Sequence, residues 1–224
     1  MSFSFLHSAN SNIALFSKAL EGAGVEPQQH VVRNDLLLEV TAKGQIDAPL
    51  SEAISAAITT TAKDVDLVLL TCSSLSPVAD TLKADGVPVE RTDGLLARAV
   101  LGDALAKGEG SKLVILVAAP TTTGLTRSLF ERCRAEMGAD RVPLEVELLP
   151  NVWDIFLSGD VEGYKSALTK ALDRFLATSD ASHIALGQAS MGPALDGCSD
   201  PKAAAVWTVA GATRDFLTAS DQAL

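Results

Sequence analysis

A short pattern that could support chemistry occurs twice in the chain, because Leu70–Pro77 aligns without a gap on Leu186–Pro193, 116 residues later. Each copy follows an apolar run, continues into small polar residues and reaches a proline that is predicted to open a helix. The repeat therefore predicts two related half-sites, each a hydroxyl-rich turn between a buried strand and a helix N-terminus. The first turn carries Cys72 at the position where the second carries Gln188.

Cys72 is the predicted catalytic residue. It lies at a strand-to-helix turn, where backbone N–H groups and the helix dipole favour a thiolate and lower the pKa of the thiol. A small buried side chain with no reactivity is the structural alternative. We expect structural roles for Cys133, which is predicted inside a helix, and for Cys198, which is predicted in a polar loop, because neither position offers an activating environment.

Hydroxyl side chains recur at three predicted helix starts, and this recurrence suits the binding of one or two carboxylates. Hydroxyls and free backbone N–H groups at a helix N-terminus can hold an anion without a nearby lysine or arginine. Capping of the helix is the ordinary role of such residues and is compatible with binding. The predicted substrate-binding residues are Ser8, Asn10, Ser73, Ser74, Thr121, Thr122, Gln188, Ala189 and Ser190.

Two further polar residues have open roles at this stage. His7 follows the first predicted strand and is either a base or hydrogen-bond donor near the site or a structural histidine. Asp93 is predicted to cap the helix that starts at Gly94.

The elements that position these residues are predicted from the alternation of apolar runs with helical periodicity. Continuous apolar runs such as residues 65–70 and 113–118 are typical of buried parallel strands. Helices between them imply right-handed crossovers, and the polar turns should meet beyond the carboxyl ends of the strands. We predict a first lobe of residues 1–108 with 205–224, a second lobe of 109–204, and a linker-like stretch at Gly108–Gly110.

Composition and charge restrict the possible partners. With 47% hydrophobic and 21% charged residues among 224, the chain has the composition of a folded α/β protein. A net charge of −10 and the absence of a lysine or arginine cluster argue against nucleic acid. No apolar run approaches the roughly 20 residues that span a bilayer, so no membrane association is expected. The first residues lack the features of a signal peptide, which predicts a cytoplasmic location.

The sequence predicts no cofactor and no metal. The three cysteines are 61 and 65 residues apart and the three histidines are scattered, which fits no metal or redox motif. The glycine-rich patterns of nucleotide-binding loops are absent, and so is the Gly-x-Ser-x-Gly pattern of serine hydrolases.

In combination, the segments Thr71–Ser74, Pro120–Thr123 and Leu186–Met191 resemble the Asp/Glu racemase superfamily, in order and spacing over nearly the whole chain. That superfamily includes glutamate, aspartate and hydantoin racemases, maleate isomerase and arylmalonate decarboxylase. The resemblance implies an α/β fold of two pseudo-symmetric lobes, with parallel sheets flanked by helices and an active-site cleft between them. It also implies cofactor-independent chemistry on a small carboxylate or related carbonyl compound, and a homo-oligomer.

In the racemases of this superfamily two cysteines flank the α-carbon of the substrate. Cys72 matches the first of them, and the second falls on Gln188, which cannot exchange a proton at neutral pH. Arylmalonate decarboxylase has a single cysteine, but in the second half. A single thiol could protonate an enolate after decarboxylation, act as a nucleophile, or pair with another acid such as His7.

Three functions therefore remain open from the sequence. The first is an isomerase or racemase of a small carboxylate that uses Cys72. The second is a decarboxylase or other lyase with Cys72 as its single proton donor. The third is a non-catalytic protein that binds a small carboxylate. A lowered pKa of the Cys72 thiol would favour catalysis, and an inert thiol would favour binding alone.

Overall fold

The computed structural model describes residues 1–108 and 110–222. Three residues lie outside the described ones: Glu109, in the linker-like stretch, and Ala223 and Leu224, at the end of the predicted first lobe. The chain divides into two compact units. One unit comprises Met1–Leu95 and the described residues from Ala210 onward, and the other comprises Leu96–Val209.

The first unit is a four-stranded parallel sheet with strand order β2-β1-β3-β4 and helices on the connections. The central strands are buried along nearly their whole length, which explains their uninterrupted apolar sequence. In chain order the elements are β1 (Phe3–His7), α1 (Ser11–Leu20), β2 (His30–Val32), α2 (Asn34–Lys43), α3 (Ala48–Thr61), β3 (Leu67–Leu70), α4 (Ser76–Ala84), β4 (Val89–Arg91) and the start of α5 (Thr92–Lys107).

The second unit repeats this topology with strand order β6-β5-β7-β8, again parallel. Its core forms where the apolar side chains of β5 and β7 pack against the longest helix of the unit. The elements are β5 (Leu113–Val117), α6 (Thr123–Glu136), β6 (Leu144–Leu148), α7 (Trp153–Leu157), α8 (Val161–Thr178), β7 (His183–Leu186), β8 (Trp207–Thr208) and α9 (Val209–Gln222), the last of which belongs mostly to the first unit.

Backbone hydrogen bonds show that the repeated sequence pattern is a repeated structure. The N–H of Thr71 donates to Leu6 at 3.0 Å, and the N–H of Gly187 donates to Leu116 at 2.8 Å. At the next residue of each copy, the carbonyl of Cys72 accepts from the N–H of Leu75 and the carbonyl of Gln188 accepts from the N–H of Met191, both at 3.1 Å. Cys72 and Gln188 therefore occupy equivalent positions in their own sheets. The predicted α/β class with parallel sheets in two similar lobes is confirmed.

The helix α2 was not predicted from the sequence. Leu36, Leu37 and Val40 bury one face of it, and Gly44 ends it in the left-handed conformation with φ of +70°. A run of three leucines is ambiguous between strand and helix, and the glycine eight positions after Leu36 was the available signal. No helix among the described residues is long and apolar enough to cross a membrane.

The prediction that a proline opens a helix is correct for the first copy of the pattern and wrong for the second. Pro77 is the second residue of α4. Pro193 lies inside a 3-10 segment, Ala189–Gly197, instead of at the start of an α-helix. Gly192 and Gly197 lie in the same segment, and glycine together with proline disfavours a regular α-helix there.

Candidate active site

The thiol of Cys72 lies in the turn that joins β3 to α4, and donors surround it. The hydroxyl of Ser8, from the end of the neighbouring strand β1, and the backbone N–H groups of Ser74 and Leu75 lie near the sulfur and favour its thiolate; the Leu75 N–H also donates to the Cys72 carbonyl at 3.1 Å. The carbonyl of Cys72 accepts from the hydroxyl of Ser76 at 2.8 Å, which fixes the turn to the first residue of α4. Three donors therefore converge on one sulfur, an arrangement that stabilises negative charge on it.

Burial has the larger effect on this thiol. Cys72 is only 6% exposed, and removal from water raises the pKa of its thiol above the ordinary value, while Ser8 and the two backbone N–H groups act in the opposite direction. The carboxylate of Asp93 adds a smaller upward contribution to the same pKa. The prediction of a lowered pKa was wrong, because desolvation outweighs the hydrogen bonds of the turn. The resting thiol is protonated at neutral pH.

A buried polar network lies beside this turn. His7 is fully buried, and its Nδ1 lies 2.8 Å from the hydroxyl of Thr71 while its Nε2 lies 2.8 Å from Nδ1 of His30. Asn12 donates to the same Thr71 hydroxyl at 3.2 Å. Burial, with a smaller contribution from His30, lowers the pKa of His7 to about 3. His7 is therefore a neutral residue that joins β1, β2 and the Cys72 turn, and it does not contact the thiol.

The predicted binding residues of the first unit have different surroundings. Ser8 and Ser74 are buried, and the hydroxyl of Ser8 and the backbone N–H of Ser74 both favour the Cys72 thiolate. Ser73, the residue between Cys72 and Ser74, is half-buried. Asn10 is exposed and its side chain makes no capping bond to α1. The amide that does reach the turn belongs to Asn12, two residues further along the chain, which was not predicted and which lies on the buried face of α1.

Gln188 is held by the turn that follows β5. Its carboxamide oxygen accepts hydrogen bonds from the backbone N–H groups of Ala118 at 2.6 Å and Ala119 at 2.8 Å. Two N–H groups that converge on one oxygen form the kind of pair that also binds a carboxylate or an oxyanion. Here that pair is occupied by a side chain of the protein.

The remaining predicted residues of the second unit surround this contact. Thr122 is buried and its hydroxyl donates to the carbonyl of Ala119 at 2.9 Å, whereas Thr121 is exposed. Ala189 is buried, and the Ser190 hydroxyl lies 3.2 Å from the hydroxyl of Tyr164. Burial raises the pKa of Tyr164 to about 12. The sequence offered one signal for Tyr164, which is that it is the single tyrosine of the chain.

Asp93 is a member of a buried ion-pair cluster and does not cap a helix as predicted. Helix α5 begins at Thr92, directly after β4, so Asp93 already lies in its first turn. Its carboxylate receives two hydrogen bonds from the Arg91 guanidinium, both at 2.8 Å, and Asp80 receives a third at 2.6 Å. The buried arginine explains the error, because a charge this far from water requires carboxylate partners.

The other two cysteines lie where the sequence placed them. Cys133 is inside α6 and 1% exposed, and Cys198 is half-buried after the 3-10 segment, with its sulfur 3.5 Å from the carbonyl of Ala194. Burial and the neighbouring carboxylates of Asp173 and Asp200 raise the pKa of the Cys198 thiol. In residues 1–108 and 110–222, no three His, Cys, Asp or Glu side chains form a group that could hold a metal ion.

Solved structures with this fold include racemases of amino acids. Glutamate racemase RacE1 from Bacillus anthracis aligns with 99% of this chain and 81% of its own, with a TM-score of 0.69 and 14% identity. Glutamate racemase from Campylobacter jejuni aligns with 98% of this chain and 86% of its own, at 0.65 and 15%. Aspartate racemase from Picrophilus torridus aligns with 98% of this chain and 94% of its own, with a TM-score of 0.65 and 12% identity.

These similarities show that the chain has the same fold as these racemases. No protein-family model matches the chain, and no curated protein sequence matches it either.

Proposed function

We propose that this protein is a cofactor-independent, Asp/Glu racemase-like enzyme, an isomerase or racemase that acts on a small carboxylate through Cys72. The observation that carries the proposal is the convergence of Ser8 and two backbone N–H groups on the Cys72 sulfur. The fold shared with glutamate and aspartate racemases supports the same assignment.

In this proposal the Cys72 thiol first releases its proton to solvent, the thiolate then removes the proton next to the substrate carboxylate, and the thiol so formed returns a proton to the substrate carbon. The three donors lower the cost of the thiolate, which burial alone would make too high. Binding of a carboxylate is assigned to the turn around Ser73–Ser74 or to the turn around Thr121–Thr122, where helix starts supply N–H groups. The familiar two-thiol mechanism is not part of the proposal, because Gln188 cannot supply the second proton.

A decarboxylase or other lyase is the second candidate, and the raised pKa of Cys72 favours it. A thiol that is protonated at rest is ready to donate its proton to an enolate that forms when a malonate-type acid loses carbon dioxide. The thiolate left behind is stabilised by the same three donors and regains a proton from solvent. The third candidate, a protein that binds a carboxylate without chemistry, requires an unreactive Cys72.

Proton exchange with solvent separates these candidates. The protein is incubated in D2O with single enantiomers of small amino, hydroxy and aryl-substituted acids and with substituted malonates, and NMR follows deuterium at the α-carbon. Exchange without net loss of carbon dioxide supports the isomerase or racemase, and a deuterated decarboxylation product supports the lyase. If no compound in the panel exchanges or decarboxylates faster than in the Cys72→Ala variant, the enzymatic proposal is wrong.

A further inference from the structure

The two ends of the Gln188 carboxamide have different surroundings. Its oxygen faces the N–H groups of Ala118 and Ala119, and only oxygen can accept from two donors, so the orientation of the amide is fixed by its neighbours. The amide nitrogen consequently lies on the other side, where no group in the described part of the chain accepts a hydrogen bond from it. Gln188 is 8% exposed.

Among the described residues, the fully buried side-chain atoms without a partner belong to Ser4, Thr123 and Arg134, so the Gln188 nitrogen is open to solvent and a ligand can replace that solvent. Its position is also well defined, because two short hydrogen bonds hold the far end of the side chain. A donor that is fixed in advance binds an anion at a lower entropic cost than a flexible one. The amide nitrogen thus has the properties of a binding group.

We propose that Gln188 binds a small carboxylate through its amide nitrogen, as a neutral donor to a carboxylate oxygen, while the Ala118–Ala119 turn holds its own oxygen. The inference deepens the proposed function and rests on it for the identity of the ligand as a small carboxylate. It assigns to Gln188 a hydrogen bond that stabilises the negative charge of the ligand.

Two substitutions separate this role from a purely structural one. Gln188→Glu keeps an oxygen for Ala118 and Ala119 in a side chain of the same shape, but it removes the N–H donors. Gln188→Met keeps the length and removes both the donors and the acceptor. We expect Gln188→Glu to unfold at the same urea concentration as the wild type and Gln188→Met to unfold at a lower one, because only the latter leaves the two buried N–H groups unpaired.

Ligand binding is measured by calorimetry with malonate, maleate, succinate and both enantiomers of aspartate and glutamate. We expect the wild type to bind at least one of these anions, and both variants to bind it about ten- to a hundredfold more weakly, the effect of losing a hydrogen bond to a charged group. The measurement is repeated in 0.5 M salt, where charge repulsion by the new glutamate is largely screened and the loss of the donor is not.

Binding by Gln188→Glu within about twofold of the wild type at high salt would overturn the inference, as would the absence of binding by the wild type to all of these anions. The inference and the proposed function fail separately. Loss of binding in both variants without any deuterium exchange in the wild type supports the role of Gln188 and contradicts the enzymatic proposal. Deuterium exchange that requires Cys72 but is unchanged in both Gln188 variants supports the enzymatic proposal and contradicts the role of Gln188.

Discussion

Cys72 and Ser8 lie at the carboxyl ends of the two central parallel strands of the first sheet, and their side chains are hydrogen-bonded to each other. The second sheet has an equivalent contact, because the side chain of Gln188, which follows β7, accepts a hydrogen bond from the N–H of Ala118 in the turn after the neighbouring strand β5. In each lobe, therefore, the side chain at the repeated position ties together the two turns beyond the central strands. The thiol in one lobe and the carboxamide in the other have the same structural place and different chemistry.

Replacing Cys72 by alanine should abolish turnover of any substrate that the exchange experiment identifies, with kcat reduced at least about a thousandfold, as expected when a nucleophile or proton-transfer group is removed. Cys133→Ala and Cys198→Ala are the matched controls, since both remove a thiol that does not lie at the Cys72 turn. Turnover is measured for all three variants after their folding has been checked by circular dichroism. Normal activity in Cys72→Ala would exclude the thiol mechanism.

Replacing Ser8 by alanine should raise the pKa of the Cys72 thiol further, because it removes the side-chain donor to the sulfur and leaves burial unchanged. A hydrogen bond to a charged group is worth about 1.5–3 kcal/mol, so the shift should be one to two pH units. The rate of reaction with methyl methanethiosulfonate against pH reports this pKa in a Cys133→Ala, Cys198→Ala background.

Ser55→Ala is the control for the Ser8 variant, since its hydroxyl donates to the Ser51 carbonyl inside α3. The profile of that variant should coincide with that of the parent. If Ser8→Ala also leaves the profile unchanged, Ser8 does not stabilise the thiolate and the site lacks one of its three donors.

Much of this fold could be predicted from the sequence because its strands are short, continuous and apolar. Residues 113–118 form a continuous apolar run that is typical of a buried parallel strand, and Val117 is indeed the last strand residue before the polar turn. The gap-free repeat then predicted the equivalent positions of Cys72 and Gln188. Local pattern was sufficient for these features, since burial on both faces leaves little choice of conformation.

The electrostatic properties of the site could not be predicted in this way. The pKa of Cys72 depends on how completely the turn is removed from water, and no spacing in the sequence reports that. The hydrogen bonds of Gln188 with Ala118 and Ala119 join residues about 70 positions apart through backbone atoms, which have no sequence signal. His30 and Tyr164 were missed for the same reason, because their partners are brought near them by the tertiary fold.

Breaking the buried ion pair of Arg91 should lower the free energy of unfolding far more than breaking an exposed pair of the same spacing. Asp93→Asn leaves a guanidinium that is 5% exposed without one of its two carboxylates, and a loss of about 3–5 kcal/mol in the free energy of unfolding is expected. Arg33 and Asp35 form the matched control, with the same separation in sequence on the surface. Asp35→Asn should cost less than about 1 kcal/mol. Equal losses in urea unfolding would contradict the assignment.

His7 should make the protein less stable as the pH falls below the ordinary pKa of histidine. Its pKa is 6.5 when unfolded and about 3 when folded, so between these values the unfolded chain binds a proton that the folded chain does not. The free energy of unfolding therefore rises with pH across this window, by up to about 1.4 kcal/mol per pH unit from this residue. Above pH 6.5 His7 is neutral in both states and adds no further pH dependence to the free energy of unfolding.

His7→Phe removes this titration, and Phe5 and Phe16, whose rings already pack against His7, should accommodate the new ring. The variant is expected to be less stable at pH 7, because Thr71 and His30 lose a partner, but its stability should fall less steeply towards acid pH. Urea unfolding at several pH values between 4 and 7 measures the slope. Parallel slopes for the two proteins would show that folding does not lower the pKa of His7.

A single thiol should exchange hydrogen at the substrate carbon faster than it inverts that carbon. The Cys72 thiolate takes the proton from one face, and the group returns it to the same face, while Gln188 has no proton to deliver at neutral pH. With one enantiomer in D2O, deuterium incorporation should exceed formation of the opposite enantiomer at least about tenfold, a difference of about 1.4 kcal/mol between the two barriers. NMR gives the first rate and chiral chromatography the second. Equal rates would mean that a second acid acts on the opposite face, and the one-thiol mechanism would then have to be abandoned.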